Sequence, residues 1–203
     1  MSIIISIMGA TCAGKTTFIK HCTDRYPNKF ASVRVGEIMR MKYPPEYFNG
    51  QNNPKHTAIE AWNLCDEMVA SFIECKMPVI LVDGQPRDTE QVDQFLSSWG
   101  TTPRMLILFH ATKEEREKRA REQRHGDDLE KLTIPRITND MVSYYTVLTR
   151  LAEYSISPMV VDTAIGKPGD MLAMYMLNES KKETQYVRPE SLRGSWPNIP
   201  RTV

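Results

Sequence analysis

Gly9, Gly14, Lys15 and Thr16 stand in the spacing G-x-x-x-x-G-K-T, directly after the isoleucine-rich run 2–7 and directly before Phe18-Ile19-Lys20-His21-Cys22. A buried-type strand, a glycine loop and a helix start in that order make a phosphate-binding loop. Two glycines let the backbone turn tightly enough for successive N–H groups and a helix N-terminus to face one anion. Gly9, Thr11, Cys12, Ala13, Gly14, Lys15, Thr16 and Thr17 are therefore the candidate ligands of a nucleotide's phosphates. Lys15 reaches for the outer phosphates, and the Thr16 hydroxyl is placed for Mg²⁺. The alternative is a glycine-rich turn that binds nothing, which the flanking strand and helix argue against.

A loop of this kind needs a sheet behind it, and 203 residues suffice for one sizeable α/β core with a small inserted lobe. Five short apolar runs recur, at 2–8, 32–35, 79–82, 105–109 and 158–161, separated by helical stretches. None alternates, as expected of strands covered on both faces, so the pattern predicts a doubly wound parallel sheet. The formal net charge of +1 supplies no broad field for nucleic acid or a membrane, although 113–124 and the C-terminal tail are rich in Arg and Lys. Nucleic acid stays open as a partner without support from the charge. Cys12, Cys22, Cys65 and Cys75 form no close pair and read as reduced thiols. No run reaches membrane-spanning length, and the expectation is a soluble, cytoplasmic monomer.

In open parallel sheets ligands gather at the carboxyl ends of the strands. The third run ends in Asp83-Gly84-Gln85-Pro86-Arg87. Asp83 is placed to hold the water shell of Mg²⁺ together with Thr16, and the turn after it aims Arg87 across the strand ends. Read without a ligand, Asp83 neighbours a helix cap and Arg87 is a surface charge.

Gly9-to-Thr16, Asp83-Gly84-x-Pro86-Arg87 with Gln91 four residues later, and the Arg-rich segment beyond Thr112 together resemble the nucleoside monophosphate kinases of adenylate kinase and UMP/CMP kinase type. The resemblance runs from residue 3 to about 177. It implies a three-layer α/β/α P-loop NTPase fold with a five-stranded parallel sheet, using ATP and Mg²⁺. It divides the chain into a kinase domain, 1–178, and a polar tail, 179–203. Within the domain lie a core (1–35, 78–123, 132–178), a helical lobe for the monophosphate (36–77) and a short lid (124–131).

Gly36-Glu37-x-x-Arg40 is similar to the family's G-D-x-x-R, so Gly36, Arg40, Gly84, Arg87 and Gln91 are implied to hold the acceptor, with Gln91 weakly favouring adenine. Two guanidinium forks suit a phosphate dianion. Arg119 is implied to cover the donor adenine, while Arg124 and Arg136 are implied to stabilise the transferring phosphoryl. Lys15, Arg40, Arg87, Arg124 and Arg136 thus form the implied catalytic set, and Thr16 and Asp83 the metal set. Three departures stand out: Gln85 replaces an aromatic, the lid is shortened, and the G-x-L-V segment of the lobe is not recognisable.

The implied reaction is transfer of the γ-phosphoryl of Mg·ATP to a (deoxy)nucleoside monophosphate. A modified nucleotide, a nucleotide in DNA or another small metabolite is the alternative acceptor, and a non-catalytic nucleotide switch is a third reading. Asp83-Gly84-Gln85 lacks the spacing of the D-x-x-G-Q of small GTPases, and no N-K-x-D sequence is present.

Overall fold

The computed structural model describes residues 2–43, 55–123, 134–166 and 168–182. The chain order is β1 (Ile3–Met8), α1 (Lys15–Arg25), β2 (Phe30–Val33), α2 (Val35–Lys42), α3 (Lys55–Glu74), β3 (Val79–Asp83) and α4 (Thr89–Ser97). There follow β4 (Arg104–His110), α5 (Lys113–Gln123), α6 (Ile134–Glu153), β5 (Met159–Asp162) and α7 (Asp170–Glu179). All strand pairs are parallel, in the order β2-β3-β1-β4-β5, so the fold is the expected α/β one with helices on both faces.

Side-chain alternation divides the core between the two faces of the sheet. Ile4, Met8, Ile80, Val82 and Leu106 face one cluster, which α3, α4 and α6 complete with Trp62, Cys65, Val69, Phe95, Val147 and Leu151. Ile5, Ile7, Val79, Leu81, Ile107 and Phe109 face the other, against Phe18, Ile19 and Cys22 of α1 and Met176 of α7. This two-sided burial is why the strands read as unbroken apolar runs. Across the first face, Arg150 of α6 grips Asp93 of α4 with two charge-assisted bonds, at 2.9 and 2.8 Å.

One expectation shifts. The second strand is Phe30–Val33 rather than 32–35, and Val35, although buried, opens α2. Phe30 leads the strand because it pairs in register with Val79, and the chain turns at Arg34 (φ −115°, ψ 69°). In α3 the buried stripe is Trp62, Cys65 and Val69, whereas Ile59 is half exposed. Successive steps of three and four residues from Trp62 put Cys65 and Val69 on its helix face. These residues seat α3 on the main sheet core itself. Among the described residues no helix is long and apolar enough to cross a membrane.

The four cysteines are free thiols, and the fold separates them sharply. Burial pushes Cys22 and Cys65 up to about 12 from the usual 9.0, with nearby Asp170 and Asp66 adding to the effect. Below about pH 9 both folded and unfolded chains keep these protons. Between pH 9 and 12 the unfolded chain releases them while the folded one does not, so stability falls as pH rises. Urea melts between pH 8 and 11 should show this decline, and Cys22→Ala should make it shallower. Thiol labelling of the native protein at pH 8 should modify the exposed Cys75 first, and Cys22 and Cys65 only after unfolding.

Candidate active site at the P-loop

β1 lies at the centre of the sheet and its carboxyl end opens into the glycine loop. Gly9 has φ +139°, and a Cβ there would lie 2.4 Å from the Phe109 carbonyl oxygen of the neighbouring strand. Only glycine permits that approach. Cys12 (φ 64°) and Gly14 (φ 93°) also take positive φ, which turns the loop back over the start of α1. Gly14 caps α1 without a side-chain hydrogen bond, leaving the helix's first amides facing the loop as donors for an anion. Lys15 Nζ donates to the carbonyls of Gly9 and Ala10, at 2.6 and 2.9 Å, and so stands across the loop mouth. Tyr144 of α6 is buried beneath it, its hydroxyl on the Gly9 backbone and its pKa raised chiefly by burial.

Thr16 and Asp83 come from different elements and meet. The Thr16 hydroxyl donates to Asp83 Oδ2 across 3.3 Å, because β1 and β3 pair with Ile7 opposite Asp83. Two hard oxygens at the phosphate loop suit Mg²⁺, which takes few protein ligands and completes its shell with water and phosphate.

The loop after β3 is held rigidly. The peptide between Gln85 and Pro86 is cis, Gly84 has φ +73°, and the Ser6 hydroxyl donates to the Gln85 carbonyl. Arg87 Nε donates to the Gly84 carbonyl at 2.7 Å, which folds the guanidinium back over the turn. The Arg87 amide donates to Gln91 Oε1 at 2.8 Å, and Asp88 caps α4 by accepting from the Gln91 amide. Gln91 is buried, and its side-chain carbonyl is engaged in clamping this loop. Gln85 is also buried, and its Oε1 has no hydrogen-bond partner among the described residues.

On the other side of the loop stands α5, capped by Thr112, whose hydroxyl accepts from the Glu115 amide. Arg119 leans from it to the P-loop and the turn after β5. Its Nε donates to Glu115, its Nη1 to Thr163 Oγ1 and Cys12 O, and its Nη2 to Thr163 O.

Arg116, Asp140 and Thr163 carry contacts that sequence reading missed. Arg116 belongs to a helix that reads as a solvated charged surface, yet it is only 2 % exposed. Its guanidinium donates to the carbonyls of Ala111 and Ile137, joining α5 to α6, and burial lowers its pKa against the pull of Asp140. The available signal was Ala120, four residues on and buried, which marks the same helix face. Asp140 accepts the Thr11 amide at 2.7 Å, so a carboxylate from α6 is bonded directly to the phosphate loop. Gly36 and Arg40 lie on α2 and Arg136 on the first turn of α6. Arg124 and the expected lid, 124–131, lie outside the described residues, apart from the helices that flank them.

A cavity of about 270 Å³, lined by Phe95, Arg104, Ile156 and Tyr175 among others, sits at the amino-terminal ends of β4 and β5. That is the end of the sheet away from the loop. The phosphate-binding chemistry lies on the rim of backbone amides at the carboxyl ends.

A family model described as an AAA domain matches residues 8–134, from the phosphate loop to the start of α6. The chain belongs to that family. No curated protein matches it in sequence. Among solved structures it is similar to an unliganded sugar kinase from Janibacter sp. HTCC2649, with a TM-score of 0.60 and 14 % identity over 88 % of this chain and 94 % of that one. It is also similar to a chain of the Pnkp1/Rnl/Hen1 RNA repair complex, with a TM-score of 0.53 and 14 % identity over 71 % of this chain and 45 % of that one. Family and fold give this AAA-domain chain a P-loop α/β architecture, and neither singles out an acceptor.

Gly9→Ala should test how far the loop depends on its one close approach. A methyl 2.4 Å from a backbone oxygen forces the loop or β4 to move. We expect a loss of about 2–4 kcal/mol in urea unfolding, as for other steric and strained-backbone substitutions. Mg·ATP binding by calorimetry should be abolished.

Proposed function

We propose that the chain transfers the γ-phosphoryl group of Mg·ATP to a nucleoside monophosphate. The observation that carries this reading is the Thr16–Asp83 pair at the ends of adjacent strands, beside a phosphate loop spanned by Lys15 and followed by a turn over which Arg87 is folded. An oxygen of the acceptor's phosphate attacks the γ-phosphorus in line. The bond from that phosphorus to the β–γ bridging oxygen breaks, and ADP leaves. The acceptor is already an anion, so no general base is required; positioning and charge stabilisation suffice.

In this reading the P-loop amides and Lys15 bind the donor, and Arg87 with Arg40 binds the acceptor phosphate. Arg119 lies under the donor base, and Arg124 and Arg136 meet the transferring group. Residues 36–77 form the acceptor lobe and 124–131 the lid. Thr16 and Asp83 would hold Mg²⁺, which when bound neutralises charge on the β- and γ-phosphates. The buried Gln85 Oε1 offers an acceptor oxygen to an N–H of the nucleotide base. A net charge of +1 favours a free nucleotide over a nucleic acid.

Asp140 supports a second reading. A hydroxyl acceptor, as on a sugar or a polynucleotide end, needs a group to take its proton, and this carboxylate is bonded to the loop that grips the donor. Proteins described as a sugar kinase and an RNA repair complex share the fold.

ADP release with Mg·ATP separates the two readings, measured against ribo- and deoxynucleoside monophosphates, simple sugars and 5′-hydroxyl oligonucleotides. We expect turnover with one monophosphate. Lys15→Ala and Arg87→Ala should each lower it by roughly 10²–10³, as for other preorganised charge stabilisers. Turnover on a hydroxyl acceptor alone overturns the first reading, and losses under tenfold at both positions overturn the residue assignment.

A further inference from the structure

We infer that Thr163 is a positioning residue for the donor nucleotide: it pins Arg119 edge-on so that only the flat face of the guanidinium is presented to the donor base. The inference rests on the reading of the chain as an ATP-dependent kinase.

Thr163 follows β5 and is 4 % exposed. Its hydroxyl oxygen accepts from Arg119 Nη1 at 3.0 Å, and its carbonyl accepts from Nη2 at 2.7 Å. The same hydroxyl has one proton to give, and two backbone carbonyls lie 3.0 Å from it, Ala13 O in the P-loop and His110 O at the end of β4. The Thr163 amide donates to His110 O at 2.8 Å, so the turn is fixed to the sheet independently of the side chain. One hydroxyl therefore ties together the phosphate loop, the last residue of β4 and the fork of Arg119.

A guanidinium has five N–H donors, all in its plane. Here the Nε–H goes to Glu115, and the two η-nitrogens are engaged by Thr163 Oγ1, Thr163 O and Cys12 O. With its edge engaged in this way, the group is a poor phosphate ligand. Its faces carry no hydrogen bond, and a guanidinium face stacks well on an aromatic ring. Arg119 lies directly against the loop, since a Cβ on Gly14 would meet its Nη1 at 3.8 Å. In the kinase reading above, the base of a nucleotide whose phosphates lie in the loop meets that face. Thr163 thus converts a long, flexible cation into a fixed stacking platform.

The test is calorimetric binding of Mg·ATP and of Mg·tripolyphosphate, which has the phosphates without the base. It uses the wild type, Thr163→Val, Thr163→Ser, Arg119→Met and the Thr163→Val/Arg119→Met double variant. Removing the hydroxyl should weaken Mg·ATP binding roughly tenfold, the scale of a hydrogen bond to a charged group. Tripolyphosphate affinity should hold. Serine should restore the wild-type ratio, and the double variant should bind ATP no worse than Arg119→Met alone, the signature of two residues acting as one unit. In turnover, the KM for ATP should rise while the KM for the acceptor holds.

Equal weakening of both ligands overturns the inference, because Thr163 then only shapes the P-loop through Ala13; so does no weakening of either. If valine is not tolerated, Thr163→Ala removes the same hydroxyl and is read by the same two ratios. No acceptor enters the binding measurement, so its outcome is separate from failure of the phosphoryl-transfer reading. That failure appears as wild-type protein without acceptor-dependent ADP release.

Discussion

The contact between Gly9 and the Phe109 carbonyl is the constraint from which the site follows. β1 and β4 run side by side with Met8 opposite Leu108, so the chain leaves β1 while β4 still continues as strand. Any side chain at Gly9 would collide with that neighbouring backbone and lift the loop off the sheet. Because the approach is that close, the loop must turn at once. Positive φ at Cys12 and Gly14 brings the chain round so that α1 begins at Lys15. The lysine stem then spans the loop and its ammonium returns to the Gly9 and Ala10 carbonyls. Anion binding here is a property of backbone geometry before it is one of charge.

The charged side chains around the loop are arranged as a connected set. Arg116 is buried, which disfavours its charge, and it survives as a cation because two carbonyls and the field of Asp140 compensate. Asp140 in turn accepts from the Thr11 amide. Arg119, three residues after Arg116 on the same helix, does the corresponding work for the turn after β5. α5 therefore ties the P-loop to α6 on one side and to β5 on the other. Removing one partner of such a set leaves a buried polar group without compensation, which costs more than the single bond it made.

The strands and the P-loop were legible in the sequence because each is a local pattern. An isoleucine run, two glycines at fixed spacing and a lysine at a helix start carry their meaning within a dozen residues. The Thr16–Asp83 pair was legible one step further out, since the fold class predicts which strand ends are neighbours. Arg116, Asp140 and Thr163 were not legible. Their roles depend on tertiary contacts that no spacing rule encodes, and the charge of α5 pointed the wrong way for Arg116. Val35 misled for a related reason: an apolar residue buried by a helix and one buried by a strand look the same in a four-residue run. Gln91 shows the converse. Its match to a base-reading amide is a match of position, whereas its carbonyl is engaged by the Arg87 amide and its side chain is buried.

The two sides of the site differ in how completely their polar groups are satisfied, and the difference bears on selectivity. Around the P-loop Lys15, Arg119, Thr163 and Glu115 are bonded to one another or to backbone carbonyls, so the cradle is preorganised and little order remains to be imposed on binding. In the turn after β3 Gln85 holds a buried carbonyl oxygen with no partner among the described residues, beside a loop otherwise fixed by Ser6, Gly84 and Gln91. An orphaned buried acceptor costs about 1–3 kcal/mol. A ligand that brings a donor to it recovers that cost, and a ligand of the same shape without the donor does not. Polar groups left unmatched discriminate far more strongly than apolar walls of similar size. Gln85 Oε1 is such a group, buried and unmatched. Selectivity on this reading resides in the loop after β3, and the P-loop supplies a donor site that is already built.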